Sequence, residues 1–306
     1  MSEQVLDVLR SVGARVFERG WLSSNNVLFA EAGATTVVDT GYAIHAQMTM
    51  ALLSDALGGR PLQRIINTHL HSDHCGGNAA LQRHWECEAW VPQASFDVVR
   101  RWDESVLTYA ETGQLCPRFE AHRAIAPGEC LSLGGLMWEV HSAPGHDPDA
   151  VMLFEPTHRV LISGDALWEH GVAIIFPELE GLPGFDEALR ALGAIEALAP
   201  KVVIPGHGAP FTAIGPALEQ SRLRIEGFAA NPSKHDAYAM RALLMFHMLE
   251  QRAAERHELE EWVRATPLLQ RPNEEEDREA RLQGALSRLL RDGTLIATGS
   301  RLTISN

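Results

Sequence analysis

The chain has 306 residues and a formal net charge of −14, because 40 acidic side chains outnumber 26 lysines and arginines. This charge argues against nucleic acid or an anionic membrane as a partner, unless a local basic patch overrides it. The length fits one large domain, or a large domain with a small appendage. We find no apolar run of the roughly 18 residues that a spanning helix needs, and the N-terminus does not resemble a signal peptide.

The cysteine pattern favours a reducing compartment. The four cysteines form no C-x-x-C pair, and in a chain of this size they do not resemble a disulfide framework. We therefore expect free thiols and a cytoplasmic protein.

Short apolar runs alternate with helical patterns between residues 26 and 208. Residues 26–41 predict a β-hairpin with its turn at 31–33, and residues 43–59 predict a helix that ends at a glycine pair. Further strands are predicted at RIINTH, EAWVP, LMWEVHSAP, AVMLFEP, RVLISGD and KVVIP, and further helices at GGNAALQRHW and FDEALRALGAIEALAP. Strands mixed with helices in this way favour sheet layers covered by helices.

Two segments depart from this alternation. The segment from about residue 93 to residue 123 is predicted to form a mainly helical insertion. From about residue 234, three helical patterns precede a hairpin, TLIATGSRLTIS, with Gly299 in its turn. Three helices and a hairpin are the order of a winged-helix module. We therefore predict a catalytic domain over residues 1–230 and a small, mostly helical, winged-helix-like domain over residues 231–306.

The stretch NTHLHSDHCGGN, residues 67–78, holds three histidines and an aspartate within six positions. Other polar residues with metal-binding side chains follow predicted strands, where the backbone is rigid and the loop stays open. The full set of candidates is His69, His71, Asp73, His74, His146, Asp165 and His207. Seven candidates exceed the about four ligands of one zinc ion, and they suit two metal ions that share a carboxylate. Imidazole and carboxylate without thiolate favour zinc, iron or manganese.

HLHSDH resembles the H-x-H-x-D-H motif of the metallo-β-lactamase fold superfamily, and Asp39 in VVDTG, His146, Asp165 and His207 match its other motifs in order. The resemblance covers about residues 20–210. It implies an α/β fold, the four-layer αβ/βα sandwich of that superfamily. It also implies that one metal ion is held by His69, His71 and His146, and a second by Asp73, His74 and His207, with Asp165 bridging them. Asp39 would orient the metal-binding loop without binding metal itself.

Two metal ions held in this way would lower the pKa of a bridging water and polarise a substrate oxygen. We expect a hydrolase with two divalent ions, zinc first among them, that uses the bridging hydroxide, with Asp73 and Asp165 as catalytic residues. The loop after Asp165 would bring Trp168, His170 and Phe176 near the mouth of the site. Apolar walls of this kind suit a small ester, thioester or lactone.

Three other functions remain open. Small lactamase-like endoribonucleases have a C-terminal winged helix, although residues 234–306 hold 11 basic and 12 acidic side chains and are near neutral. A mononuclear iron dioxygenase acting on sulfur compounds reuses part of the ligand set, and a metal-containing sensor could keep all of it. For partners we expect a small-molecule substrate and no membrane. We do not expect nucleic acid as a partner, although the C-terminal domain could bind it, and that domain could also form a homodimer.

Overall fold

The structure is a computed structural model that describes residues 2–30, 34–270 and 275–305. Within these residues, one sheet has six strands that follow the order of the chain. The first three strands pair antiparallel, and the last four pair parallel. The strands are β1 (Ala14–Phe17), β2 (Asn26–Phe29), β3 (Thr36–Val38), β4 (Arg64–Ile66), β5 (Glu88–Pro92) and β6 (Arg123–Ile125).

A second sheet has five strands in the described part of the chain. They are β7 (Cys130–Leu133), β8 (Leu136–Ser142), β9 (Val151–Glu155), β10 (Val160–Gly164) and β11 (Val202–Pro205). Their spatial order is β11–β10–β9–β8–β7, and the pairs are antiparallel except for the parallel pair of β10 and β11. Because β10 and β11 are parallel, the residues that follow them emerge at the same edge of the sheet.

An apolar core between the two sheets makes them face each other. Val27 and Ile66 of the first sheet and Leu153 and Ile162 of the second belong to one buried cluster. Strands β2, β3, β9, β10 and β11 are buried along their whole length, as strands covered on both faces are. The sheets therefore form the inner two layers of the fold.

Helices cover the outer face of each sheet. The helices in residues 2–229 are α1 (Glu3–Ser11), α2 (Ala46–Leu57), α3 (Ser72–Cys75), α4 (Asn78–Trp85), α5 (Gln93–Arg101), α6 (Tyr109–Thr112), α7 (Phe176–Leu179), α8 (Phe185–Leu198) and α9 (Ile214–Ala229). Helix α1 is an exception, because its Val5 and Leu9 belong to the cluster between the sheets. Helices α2, α4 and α5 pack on the first sheet through Leu53, Leu81 and Val99. Helices α8 and α9 pack on the second through Leu192 and Ile225. This order of layers confirms the predicted four-layer αβ/βα sandwich.

Helix α8 shows how the sequence produces an outer layer. Its buried residues recur at intervals of three or four, which places them on one face of a helix: Phe185, Ala188, Ala191, Leu192 and Ile195. The helix ends where Ala199 takes a left-handed φ of 46°. Pro200 follows and cannot continue the helix.

The strands and helices predicted between residues 26 and 208 are present, and β2 pairs with β3 as the predicted hairpin requires. The turn predicted at 31–33 lies outside the described residues. Elements α1, β1, α3, β7, α7 and α9 were not predicted. Strands β1 and β7 are short edge strands with only half of their residues fully buried. Helix α9 contains Gly215, Pro216 and Gly227, which weaken its helical pattern.

The prediction of a mainly helical insertion at 93–123 is wrong in part. Helices α5 and α6 lie there, but residues 113–122 contain neither helix nor strand. Strand β6 begins at the end of this segment and adds a parallel strand beside β5. The segment therefore covers the first sheet and leads into its last strand, and its interpretation as an insertion stays a prediction.

The C-terminal segment contains α10 (Pro232–Gln251), β12 (Ala253–Glu255), α11 (Arg256–Ala265), α12 (Glu275–Arg291), β13 (Leu295–Thr298) and β14 (Arg301–Ile304). Strands β13 and β14 form the predicted hairpin. Strand β12, which was not predicted, pairs with β14. The name winged helix and the domain boundary at residue 230 stay predictions. Among the described residues, no helix is both long and apolar enough to cross a bilayer.

Helix α10 packs against the sandwich as well as against its own segment. One apolar cluster joins Ile174 and Phe176 of the sandwich to Leu243 of α10 and Leu286 of α12. His235, near the start of α10, is only 1% exposed. Its Nε2 accepts a hydrogen bond from the backbone N–H of Ile175 over 3.0 Å. Burial lowers the pKa of His235 to about 4.

We expect His235 to make the protein less stable in acid. The unfolded chain takes up this proton near pH 6.5 and the folded protein near pH 4, so the free energy of unfolding falls as the pH drops through this interval. The loss attributable to His235 should be about 3 kcal/mol at pH 4. Urea unfolding at several pH values should show a weaker pH dependence for His235→Gln, whose amide oxygen can still accept the hydrogen bond. His170→Gln, at an exposed position, is the control. Equal pH dependence in His235→Gln and the unmutated protein would contradict this account.

Candidate metal centre

Seven imidazole and carboxylate side chains meet where strands of both sheets end. Strand β4 leads into the loop at 67–71 and helix α3, while the other three segments follow β8, β10 and β11. Backbone hydrogen bonds join the segments, from Ser24 N–H to the oxygen of Asp73 (2.9 Å) and from Asn25 N–H to the oxygen of Gly206 (2.7 Å). The structure thus brings together all the candidate ligands that the sequence predicted: His69, His71, Asp73, His74, His146, Asp165 and His207.

Three buried histidines, His69, His71 and His146, form the first group. Nδ1 of His71 lies 2.7 Å from Nε2 of His146. Nε2 of His69 is buried and has no hydrogen-bond partner in the described part of the chain. One ring nitrogen from each histidine lies within 4.8 Å of the others. Three convergent imidazole nitrogens of this kind fit one metal ion.

Asp73, His74, Asp165 and His207 form the second group, whose ligand atoms also lie within 4.8 Å of one another. Nε2 of His207 is 3.0 Å from Oδ2 of Asp73. Nε2 of His74 is 3.3 Å from Oδ1 of Asp165 and lacks a hydrogen-bond partner among the residues described. Two imidazoles and two carboxylates suit a divalent cation.

Asp165 lies between the two groups. Its Oδ2 is 3.4 Å from Nε2 of His146 in the first group and 3.8 Å from Nε2 of His207 in the second. The indole N–H of Trp168 donates to Oδ1 over 3.1 Å, which restricts rotation of the carboxylate. A carboxylate that contacts two metal ions needs this intermediate position.

The first group is electrically neutral. Burial lowers the pKa of His69, His71 and His146, and neighbouring histidines lower the pKa of the first two further. Neutral imidazole is the form that binds metal, because protonation occupies the lone pair. These side chains are therefore ready to bind an ion at neutral pH.

The second group carries an excess of negative charge. Burial would raise the pKa of Asp165, but His74 and His207 outweigh it and hold the pKa well below its ordinary value. Burial would lower the pKa of His74, but the carboxylates of Asp165, Asp39 and Asp73 outweigh it and raise the pKa. Several ionised carboxylates around one buried imidazole favour a cation at this point.

Both groups are electrostatically costly without a cation. Burying carboxylates and imidazoles removes their contact with water, and the buried Nε2 atoms of His69 and His74 lack compensating hydrogen bonds within the described residues. A cluster of this kind conflicts with the apolar cores around it, which are packed from leucine, isoleucine, valine and aromatic residues. Such local conflicts are expected where a protein binds a ligand, because the ligand supplies the missing interactions.

Asp39 orients His74 from the side away from the cavity. Its Oδ1 accepts a hydrogen bond from the backbone N–H of Thr68 (2.9 Å), and its Oδ2 accepts one from the hydroxyl of Thr68 (2.8 Å). The same Oδ2 lies 2.8 Å from Nδ1 of His74. This contact favours the tautomer with the proton on Nδ1 and directs Nε2 toward the second group. Asp39 itself belongs to neither group.

Gly206, between β11 and His207, lets two segments approach more closely than a side chain would allow. A Cβ atom at this position would overlap Oδ1 of Asp165 and stand 2.9 Å from Cε1 of His74. The absence of a side chain at Gly206 is therefore a geometric requirement of the second group.

A cavity opens over the two groups. Five of their side chains, His71, Asp73, His146, Asp165 and His207, form one side of it. The other sides are formed by Trp21, Gln114, Trp168, Ala173, Ile174, Phe176, Tyr238, Ala242, Leu243 and Phe246. The ring of Phe176 lies 4.7 Å from that of His71, and the ring of Trp168 lies 5.2 Å from that of His207. Trp168 and Phe176 thus lie at the site mouth, and their contact with a substrate stays a prediction.

His170 does not lie there. Its side chain is 85% exposed, and the residue is not part of the cavity lining. The chain reverses at Gly171, with φ of 90°, and this leaves His170 at the surface of the loop. Position beside Asp165 in sequence was therefore insufficient to place His170 in the site.

Trp21 and the contribution of α10 to the cavity were not predicted from the sequence. The spacing of apolar residues in the sequence predicts that α10 is a helix with a buried face. This spacing does not show which surface of the protein that face covers. Tyr238, Ala242, Leu243 and Phe246 are more than 160 residues away in sequence from the motif at 69–74, and only the fold brings them to it.

Residues 19–207 match the family model of the metallo-beta-lactamase superfamily. The chain is 31% identical over 141 residues to a hydroxyacylglutathione hydrolase of Dechloromonas aromatica, a match that spans 46% of this chain and 43% of that hydrolase. It is 26% identical over 225 residues to the human acyl-coenzyme A thioesterase MBLAC2, spanning 65% of this chain and 80% of the thioesterase.

A solved structure extends the likeness in fold to nearly the whole chain. The crystal structure of the metallo-beta-lactamase family protein TTHA1429 from Thermus thermophilus superposes with a TM-score of 0.56 at 19% identity, covering 96% of this chain and 99% of that one. Together with the family match over residues 19–207, the sandwich and its convergent histidines establish that this chain belongs to the metallo-beta-lactamase superfamily.

Proposed function

We propose that this protein is a metal-dependent hydrolase of a small ester, thioester or lactone, with thioesters as the preferred class. The proposal rests mainly on one observation, the position of Asp165 between a group of three histidines and a mixed group. The buried Nε2 atom of His69, which makes no hydrogen bond among the residues described, supports the binding of a cation. Imidazole and carboxylate donors without thiolate favour zinc, with iron and manganese as alternatives.

Each group of side chains has its own role in the proposed reaction. The first group would hold one ion and the second group another, with Asp165 in contact with both. Such ions, when bound, lower the pKa of water toward neutrality and polarise a carbonyl oxygen. Asp73 offers a carboxylate oxygen 3.0 Å from His207, at the edge of the cavity, where it can orient the attacking water and accept its proton. Trp168 holds Asp165 in place by its indole N–H.

Two features favour a thioester. The curated relatives are named hydroxyacylglutathione hydrolase and acyl-coenzyme A thioesterase, and both names describe the cleavage of an acyl group from a thiol. The cavity also joins the polar donor atoms to an apolar surface that contains Ile174, Leu243 and Phe246. A carbonyl attached to an apolar acyl group matches this combination.

Metal content should distinguish this proposal from its alternatives. Elemental analysis of the purified protein should give about two zinc ions per chain. His71→Ala and Asp165→Ala should each lower metal content and reduce hydrolysis more than about 100-fold, because they remove direct ligands. His170→Ala, at an exposed position, should change neither. A single iron per chain with oxygen uptake on sulfur substrates would instead indicate a dioxygenase, and full activity of metal-free His71→Ala would exclude the proposed mechanism.

Gly206→Ala should damage the second group without removing any ligand. The new Cβ would displace Asp165 or His74, so we expect a loss of about 10- to 100-fold in metal affinity and activity. Gly193→Ala is a matched control, because Gly193 lies inside α8 with no atom near its Cβ position. This control should keep full activity and gain about 1 kcal/mol of stability. Normal metal binding by Gly206→Ala would show that the close approach is not needed.

A substrate panel should test the reaction class. The metal-loaded protein should have its highest kcat/KM on acyl thioesters, followed by aryl esters and lactones, and should leave RNA intact. Hydrolysis can be followed by release of the free thiol. Cleavage of RNA with a strong salt dependence would favour the endoribonuclease alternative. Tight metal binding without turnover of any class would favour a sensor.

A further inference from the structure

We infer that α10 closes the substrate cavity and limits it to a short acyl group, with Leu243 and Ala242 setting the length. This inference rests on the proposed thioester hydrolysis, since it assigns the acyl part of the substrate to the cavity. It concerns the apolar wall, by which we mean Ile174, Phe176, Ala242, Leu243 and Phe246. The donor atoms of the metal centre form the opposite side of the same cavity.

The apolar wall combines residues from two distant parts of the chain. Ile174 and Phe176 come from the loop after Asp165, and Ala242, Leu243 and Phe246 come from α10. On α10, Leu243 and Ala242 lie three and four residues before Phe246, so both are neighbours of Phe246 on one face of the helix. Each is at most 8% exposed, so an acyl group placed against them would be shielded from water.

The start of α10 is held rigidly against the sandwich. His235 accepts the backbone N–H of Ile175, and the hydroxyl of Tyr238 donates to the backbone oxygen of Val172. The Ile175 N–H and the Val172 oxygen, to which α10 is hydrogen-bonded, belong to the same loop as Ile174. The backbone oxygen of Ile174 in turn contacts Nδ1 of His146 in the first group. The wall and the metal centre are therefore connected by consecutive hydrogen bonds.

The end of α10 is held by Tyr42, which lies in the segment between β3 and α2. The ring of Tyr42 meets the ring of Phe246 edge to face at 5.0 Å. Its hydroxyl donates to Oε2 of Glu250 over 2.9 Å and accepts the backbone N–H of Leu115 over 2.9 Å. A helix fixed at both ends cannot move away easily to admit a longer chain, so the cavity has a defined depth.

The size of the cavity determines the class of acyl group. It provides about 60 Å³ of space for water-sized groups. This is far smaller than the roughly 300–1,000 Å³ of a pocket for a drug-sized ligand, so the acyl group that it holds has only a few carbons. We take this to be a butanoyl to hexanoyl group. A long fatty acyl chain would not fit against the apolar wall unless α10 separated from the sandwich.

The test is a chain-length series of straight acyl thioesters of N-acetylcysteamine, from acetyl to dodecanoyl, with the metal-loaded protein. The value of kcat/KM should rise about four-fold per methylene while the chain still fits and then fall beyond about four to six carbons. Leu243→Ala should move the optimum to chains about two to three carbons longer, and Ala242→Leu should move it toward acetyl. The two variants change the volume in opposite directions, so a general loss of stability cannot produce both shifts.

Met245→Ala is the matched control. Met245 lies on α10 and packs into the C-terminal cluster, but it does not line the cavity. The acyl chain length with the highest kcat/KM should be the same for Met245→Ala as for the unmutated protein. An unchanged optimum in both Leu243→Ala and Ala242→Leu, or a flat profile up to dodecanoyl, would overturn the inference and leave the hydrolase proposal standing.

A binding measurement separates failure of the inference from failure of the proposed function. Butanoate and hexanoate, the carboxylate products, should raise the Tm of the metal-loaded protein, while dodecanoate should not, and Leu243→Ala should extend the effect to octanoate. If no thioester is hydrolysed but this pattern holds, the short acyl cavity is retained and the reaction is wrong. If neither hydrolysis nor length-dependent binding is found, both are wrong.

Discussion

The metal centre depends on how Asp39 and Thr68 join the two sheets. Asp39 follows β3 and accepts two hydrogen bonds from Thr68 in the loop after β4. The backbone oxygen of Thr68 accepts the N–H of Val151, which begins β9 in the second sheet. Asp39 also contacts Nδ1 of His74. One buried carboxylate thus connects the first sheet, the loop that contains the histidine motif and, through Thr68, the second sheet.

This connection matters because the candidate ligands come from both sheets. The motif at 69–74 follows the first sheet, whereas His146, Asp165 and His207 follow strands of the second. A metal ion tolerates displacement of its ligands by only about 0.2 Å, so the edges of two separate sheets must be held in register. The hydrogen bonds of Thr68, the contacts of Asn25 with the backbone near Gly206, and the lack of a side chain at Gly206 satisfy this requirement.

Local patterns in the sequence were sufficient for the layered α/β fold and for the set of seven candidate ligands. Strand and helix periodicities are local, and a motif such as HLHSDH places four candidate ligands within six consecutive residues. Even the role of Asp39 was indicated, since it belongs to a recognisable motif. Short edge strands such as β1 and β7 were missed because four residues are too few to establish a period in the sequence.

The surroundings of the ligands, in contrast, follow from tertiary packing alone. His170, close to Asp165 in sequence, turns to solvent, whereas Leu243 and Phe246, far away in sequence, line the cavity over the metal centre. The physical reason is that periodicity defines the apolar face of α10 but not the surface that this face covers. That surface is chosen by the packing of α10 on the loop at 172–176, where apolar contacts and buried hydrogen bonds can be satisfied together.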